Sequence, residues 1–550
     1  MKIKNLTSFM SALCLLVVFV PVFYFTVFVG NEMDYNEIHK IETLYSNPVL
    51  LLFALGAILV FVAIYLLLDR IPLNRYTKAG TILVCLFVSV LFYIFKVESS
   101  KCIAFYGGWD CGSVANSARW MYEGEGIGGG DYYYIYSNNV PITWLLYVLY
   151  SFSSSLAGYA YNPEFIWIQF QCLMFALAVF FSAMTVFVAS RKIAPTVLSL
   201  LAGVVIMGLC PWQIIPYTDG SSIAMPVLVV FLYMVFRRMR QKARYLVWLL
   251  MVFLGVIGGI MKANCYIALI AVLGVDFVWF LFEKDAWSGR LKKLGLRLGL
   301  TVCGFVLAVW CRSGMYAALD YVPDYDLQMT WSNYFYNGLN ELTTGSCSGD
   351  GLVIARAYAG YPRRFRQSIE LHYAKDRIVE KGFGGLFDFW LRKQVMNFND
   401  GTFSWFQEGF FHAWDYPDIT GSSWKEPLRD FYWQEGKDYK KFVTWSQGTW
   451  FFVLAGILAE AACVAVSVFK KKQDTEKRCI HTVVIVIFIG AFFFVMLFEG
   501  RARYLLSLVP VFITTAVLGC SGLAEGAKLL AGKMASVRKN QIGVEKVDSY

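Results

Sequence analysis

Charge is what this sequence has least of. Asp, Glu, Lys and Arg make up 16% of its 550 residues, against about 25% in an ordinary soluble domain. That deficit excludes a soluble globular enzyme, and it excludes a disordered chain, which needs charge to stay solvated. Histidine is scarcer still: the four are scattered at His39, His372, His412 and His481, so no His/Cys/Asp set stands at metal-ligand spacing, and the sequence calls for no metal or other cofactor. The 13 cysteines are too thin for a disulfide scaffold, and most lie inside apolar runs as small packing residues. What is abundant instead is apolar, 58% of the chain with 17% aromatic. Long uninterrupted runs of that composition need a hydrocarbon solvent, so the class is a polytopic membrane protein. The formal net charge of +10 falls in short clusters between the runs. Such clusters report orientation, and no nucleic-acid partner is expected.

Apolar runs long enough to cross a bilayer are predicted at 9–30, 49–68, 80–95, 165–189, 195–210, 223–236, 246–261, 265–282, 298–315, 449–469, 479–498 and 505–523. The first is too long for a signal-peptide core and lacks a small-x-small cleavage site, so it reads as a retained span. About twelve helices place both termini on one side. Alternate loops carry Arg70/Arg75/Lys78, Arg191/Lys192, a run from Arg237 to Arg244, Lys284 to Arg297, and Lys470 to Arg478. Because basic residues are retained in cytoplasmic loops, the N- and C-termini are expected to be cytoplasmic, in a plasma membrane. Residues 141–157 are apolar, yet spanning there would put the Arg237–Arg244 cluster outside. They are predicted to form a helix at the outer interface.

The expected organisation is an N-terminal transmembrane module over 1–315 with a large first outer loop at 98–164. An extracytoplasmic, mostly helical loop domain follows over 316–448, and C-terminal transmembrane helices with a cytoplasmic tail over 449–550. Within the loop domain, helix-like stretches stand at 355–381 and 385–398.

Polar residues beside a membrane are functional candidates by default, and four clusters fall on the expected outer side. The first, FYGGWDCGSVANSARWMYEGEGIGGGDYYYIYSNNVP, holds Asp110, Asn138 and Asn139. The second, PWQIIPYTDGSS, holds Asp219; the third, GGIMKANCY, holds Lys262; the fourth, FEGRARYLLSLVP, holds Glu499, Arg501, Arg503 and Tyr504. Carboxylates there can take a proton from an acceptor hydroxyl or amine. Cations at headgroup depth can hold a departing lipid phosphate. Those parts fit sugar transfer from a polyprenyl-phosphate carrier.

At these residues the sequence resembles the GT-C superfamily of integral-membrane glycosyltransferases, in particular bacterial relatives of protein O-mannosyltransferase and aminoarabinose transferase. WDCGSVANSA places Asp110 where that family carries an acidic residue in its first large outer loop. YSNNVPITWLLYVLY resembles the entry to its juxtamembrane helix, with Ser137 where a proline is usual. YTDGSSIAMPVLVVFLY and EGRARYLLSLVPVF resemble its second acidic motif and its late arginine–tyrosine motif. The first loop departs from the mannosyltransferases in carrying one acidic residue in place of an adjacent pair. The resemblance implies an all-α GT-C fold and an inverting displacement at the anomeric carbon. Asp110 would be the base, Asp219, Asn138, Asn139, Lys262, Glu499, Arg501, Arg503 and Tyr504 would bind substrate, and no metal would take part. The implied partners are a polyprenyl-phosphate sugar donor, a glycan, lipid or protein acceptor, and membrane lipids.

Plainer roles stand beside these. Asp110 can be a solvated loop carboxylate, and Asp219 can cap a helix beginning near Ser221. Arg501, Arg503 and Lys262 can anchor spans by snorkelling, and Glu499 can pair with an arginine. The run 132–136 reads as an interfacial aromatic belt, and Arg363, Arg364 and Arg366 as a solvated helix face. Cys102 and Cys111, nine apart in sequence, can be free thiols or a disulfide. The alternative function is a polyisoprenoid or envelope-polymer transporter or flippase, suggested by Asp276 and Glu460 inside spans.

Overall fold

The computed structural model describes residues 3–30, 41–103, 109–157, 164–282, 287–347, 349–405, 421–468 and 475–545. His39, His412, the first four residues of the FYGGWDC motif, and Lys284, Lys470, Lys471 and Lys472 lie outside them. Among the described residues the regular structure is helical throughout. The N-terminal half runs α1 (Ile3–Phe28), α2 (Asn47–Leu68), α3 (Arg75–Ile103), α4 (Asp110–Glu123), the single turn α5 (Tyr132–Ile135), α6 (Val140–Ala157), α7 (Glu164–Ser190) and α8 (Ile193–Leu209). After these come α9 (Thr218–Ser222), α10 (Met225–Arg238), α11 (Arg244–Met261), α12 (Tyr266–Leu281) and α13 (Trp287–Ala318). Three short helices and one long, broken one follow, α14 (Trp331–Asn337), α15 (Asp350–Ala357), α16 (Arg363–Phe398) and α17 (Lys425–Tyr432), before α18 (Tyr439–Ser467), α19 (Thr475–Leu497) and α20 (Val509–Glu545).

Eleven helices among the described residues are long and apolar enough to cross a membrane, and α8, at 17 residues, is a shorter apolar helix. Each coincides with one of the runs predicted from sequence. In the Ala502–Met534 segment, 94% of the apolar window is buried inside the protein, against 17% in α13. The last long helix is therefore the hub of the bundle, while α13 turns Val306 and Trp310 outward. The hub is reached through small residues: a Cβ on Gly519 would stand 2.1 Å from the Gly456 carbonyl, and one on Gly456 would stand 2.6 Å from Ala516 Cβ. Close backbone approach between α18 and α20 replaces the hydrophobic drive that lipid cannot supply.

Residues 141–157 do form a helix, α6, which packs against α4, α7 and α13. In the segment between α13 and α18, α16 breaks at Gly382, whose φ of 61° with ψ of −179° excludes other residues. The break falls between the two helical stretches predicted at 355–381 and 385–398. This segment has its own small core of Tyr336, Leu339, Ala374 and Phe389. Beside it, Glu370 is fully buried and accepts from Ser332 (2.5 Å) and Asn333 (3.2 Å). Arg366, expected on a solvated face, is instead buried and donates to the Gln328 carbonyl at 2.7 Å. Lys393 fastens the segment to the bundle, donating to the carbonyls of Gly338 (2.7 Å), Met496 (3.1 Å) and Phe498 (2.6 Å).

Candidate functional site

The site stands at the end of the bundle that carries this helical segment. Its floor is made where spans stop short. Helix α8 ends at Leu209, and Lys96 of α3, fully buried, donates to the carbonyls of Met207 (3.1 Å) and Cys210 (2.6 Å). Those are the orphan acceptors of a helix C-terminus. The chain then re-enters as a buried loop, held by Gln171 of α7 on the Ile215 carbonyl. Gly220 is dictated here, since a Cβ would meet the Gln171 side chain at 1.7 Å.

This loop delivers Asp219, which is completely buried. It caps no helix: α9 has Tyr217 at its N-cap without a side-chain cap. Asp219 instead accepts from Lys262 and faces Arg503 Nε at 3.8 Å. Lys262 occupies the break between α11 and α12, its ammonium 5.4 Å from the Tyr504 ring centre. The adjoining Asn264 donates to the Tyr504 carbonyl and so ties this break to the segment beginning at Arg501. The Arg503 guanidinium lies among rings, 4.8 Å from Trp109, 5.7 Å from Trp212 and Tyr217, and 5.6 Å from Tyr504. Such a cage holds a cation without neutralising it.

Asp110 begins α4 and lies on the far side of Tyr217. Its two oxygens accept from the Tyr132 hydroxyl at 3.1 Å and the Tyr217 hydroxyl at 3.3 Å. Burial, and then the Asp110 charge itself, raises the pKa of both phenols far above the ordinary range. Both therefore remain donors at any physiological pH. Asn139 donates to the Tyr132 hydroxyl at 2.7 Å, and Asn138 to Asn139 at 3.0 Å. The run 132–136 is thus not simply an interfacial belt: Tyr132 positions Asp110, and Tyr133 is buried on Thr143 at 2.8 Å.

The fourth cluster closes the site against the helical segment. Glu499 accepts from the Tyr504 hydroxyl and from Asn337 at 3.4 Å, and its own N–H donates to the Tyr334 carbonyl at 2.9 Å. Arg501 donates to Ser346 at 2.7 Å. Beside them Cys347 is an exposed thiol. Cys102 and Cys111 are separate, buried thiols.

The nine residues singled out in sequence thus lie in one connected region. Five partners were missed, Tyr132, Tyr217, Trp109, Trp212 and Gln171. Tyr217 stands two residues before Asp219 and Trp109 adjoins Asp110, so proximity to an acidic residue was the available signal. Gln171, inside an apolar span, gave none. Among the described residues no group of three or more His, Cys, Asp or Glu side chains stands close enough to hold a metal ion.

A search of curated proteins finds no match to this chain. A family described as conserved hypothetical integral membrane protein matches residues 3–522, nearly the whole chain. An all-helical bundle with eleven helices of spanning character agrees with that description, and the chain belongs to this family of conserved integral membrane proteins.

Proposed function

We propose that this protein is a membrane glycosyltransferase of GT-C type, moving a sugar from a polyprenyl-phosphate donor to a cell-envelope acceptor at the extracytoplasmic face of the plasma membrane. The observation that carries the reading is the pairing of two sub-sites across Tyr217: a carboxylate, Asp110, held by two permanent phenol donors, and a buried cationic pocket of Lys262 and Arg503 around Asp219. Carboxylate and cations are what displacement of a phosphate by a hydroxyl or amine requires.

In the proposed step the acceptor oxygen or nitrogen bonds to the anomeric carbon while its proton passes to Asp110. The bond from that carbon to the phosphate oxygen breaks, and the polyprenyl phosphate departs with the electron pair. Lys262 and Arg503 stabilise the charge that gathers on the phosphate, acting in a site where burial strengthens each interaction. Tyr132 and Tyr217 fix the direction of the Asp110 lone pairs, and Asn139 orients Tyr132.

The charges that favoured a transporter are satisfied locally. Asp276 is engaged by Arg297 at 2.8 Å and Tyr233 at 3.1 Å, and Glu460 by His481. The test is to offer purified protein in nanodiscs a panel of labelled polyprenyl-phosphate sugars with an envelope extract. Label appearing in an acceptor, or slow release to water, is expected with at least one donor. Failure to bind every lipid-linked sugar would sink the reading.

A further inference from the structure

A cavity of about 260 Å³ opens on the flank of the bundle beside the site. Its wall includes Asn138, Gly259 from the end of α11, Tyr266 from the start of α12, Arg312 and Tyr316 of α13, and Tyr325 beyond it. Two features distinguish it. Gly259 is needed for the wall to exist, because a Cβ there would stand 2.3 Å from the Tyr266 ring. Arg312 is a cation on the outward-turned helix, with its Nε buried and no hydrogen-bond partner among the described residues.

An arginine inside a spanning helix normally finds a carboxylate or carbonyl. Arg312 instead faces the cavity with aromatic company, 5.7 Å from the Tyr316 ring centre. It lies six residues before the end of α13 at Ala318, about 9 Å along the axis, so it sits near headgroup depth. Two turns away on the same face of α13, Phe305 is exposed and apolar, as a chain-facing surface must be. The volume falls just under the ~300 Å³ at which pockets for drug-sized ligands begin, which suits a headgroup.

We propose that this cavity binds the phosphate headgroup of an anionic lipid entering sideways from the bilayer, with Arg312 as its counter-charge and the surrounding tyrosines as donors. The inference does not rest on sugar transfer, since a lipid would occupy the cavity whether or not Asp110 is a base. Through Asn138 and the end of α11, the cavity shares walls with the site.

The experiment is native mass spectrometry of delipidated protein titrated with dioleoylphosphatidylglycerol, the phosphatidylcholine of the same chains, and inorganic phosphate. One equivalent of phosphatidylglycerol should bind about tenfold more tightly than phosphatidylcholine, the scale of one charge-assisted contact. Arg312→Ala should abolish that difference, and Arg312→Lys should restore part of it. Tyr325→Glu, at an exposed position, places a carboxylate on the wall and should weaken binding even where Arg312→Ala disturbs folding. Asp110→Asn should bind the lipid as the wild type does, which separates this inference from the catalytic one. Equal phosphatidylglycerol binding by wild type, Arg312→Ala and Tyr325→Glu would overturn the proposal. Competition by millimolar inorganic phosphate would overturn its lipid half.

Discussion

Asp110 is governed by its two phenols more than by any charge beside it. Tyr132→Phe or Tyr217→Phe removes one donor and leaves the carboxylate free to turn, so each should lower turnover by about tenfold. The double variant should fall short of the product of the two, because both hold one group; kinetics of the three variants would check this. Lys393 offers a prediction on pH. Burial draws its pKa down to about 7, while the same side chain in an unfolded chain holds its proton to about 10.4. Between those values the unfolded state binds the extra proton, so stability should rise as pH rises from about 7 toward 10, and level off below 7. Thermal midpoints in detergent across that range, for wild type and Lys393→Met, measure the contribution. The variant should lose the slope and, at pH 7 and below, where the ammonium has a proton for each of three carbonyls, be destabilised by about 3 kcal/mol.

Helix elements were the most legible part of the chain, because twelve apolar runs of the right length admit one secondary structure in a bilayer. The break in α16 was legible as well, through the glycines near 382. What sequence did not reveal was how a span ends. Helix α8 stops at Leu209, ahead of Pro211, but that Lys96, remote in sequence, takes its terminal carbonyls beneath the site is recorded by no local pattern. For the same reason the sequence left Asp219 open between a substrate-binding carboxylate and a helix cap, since its partner Lys262 lies 43 residues away. Arg366 read as solvated because its burial depends on the segment 328–333 folding over it. The contact between α18 and α20 gives the prediction at this scale. Gly519→Leu must push against the Gly456 carbonyl and should destabilise by about 3 kcal/mol or more. Gly526→Leu on the same helix, where a Cβ meets nothing within 4 Å, should leave the melting temperature within error.

Across the whole molecule, polar groups collect at the two ends and mean different things at each. At one end Lys192 meets Asp69 at 2.9 Å and also Glu525, while Arg297 meets Asp276, ties between helices that fix the bundle. At the other, Asp110, Asp219, Lys262 and Arg503 gather around aromatic rings beneath the helical segment. If the basic end is cytoplasmic, as the loop charges predict, a C-terminal fusion tag should be protected from protease in intact cells and cut only after permeabilisation. In the proposed reaction Asp110 is the base, served by that second end. The direct measurement is the turnover of wild type and Asp110→Asn, side by side, on a lipid-linked sugar that both bind equally. Loss of about 100-fold or more in the variant, the scale of general-base catalysis, is the predicted result. Equal turnover would remove Asp110 from the chemistry.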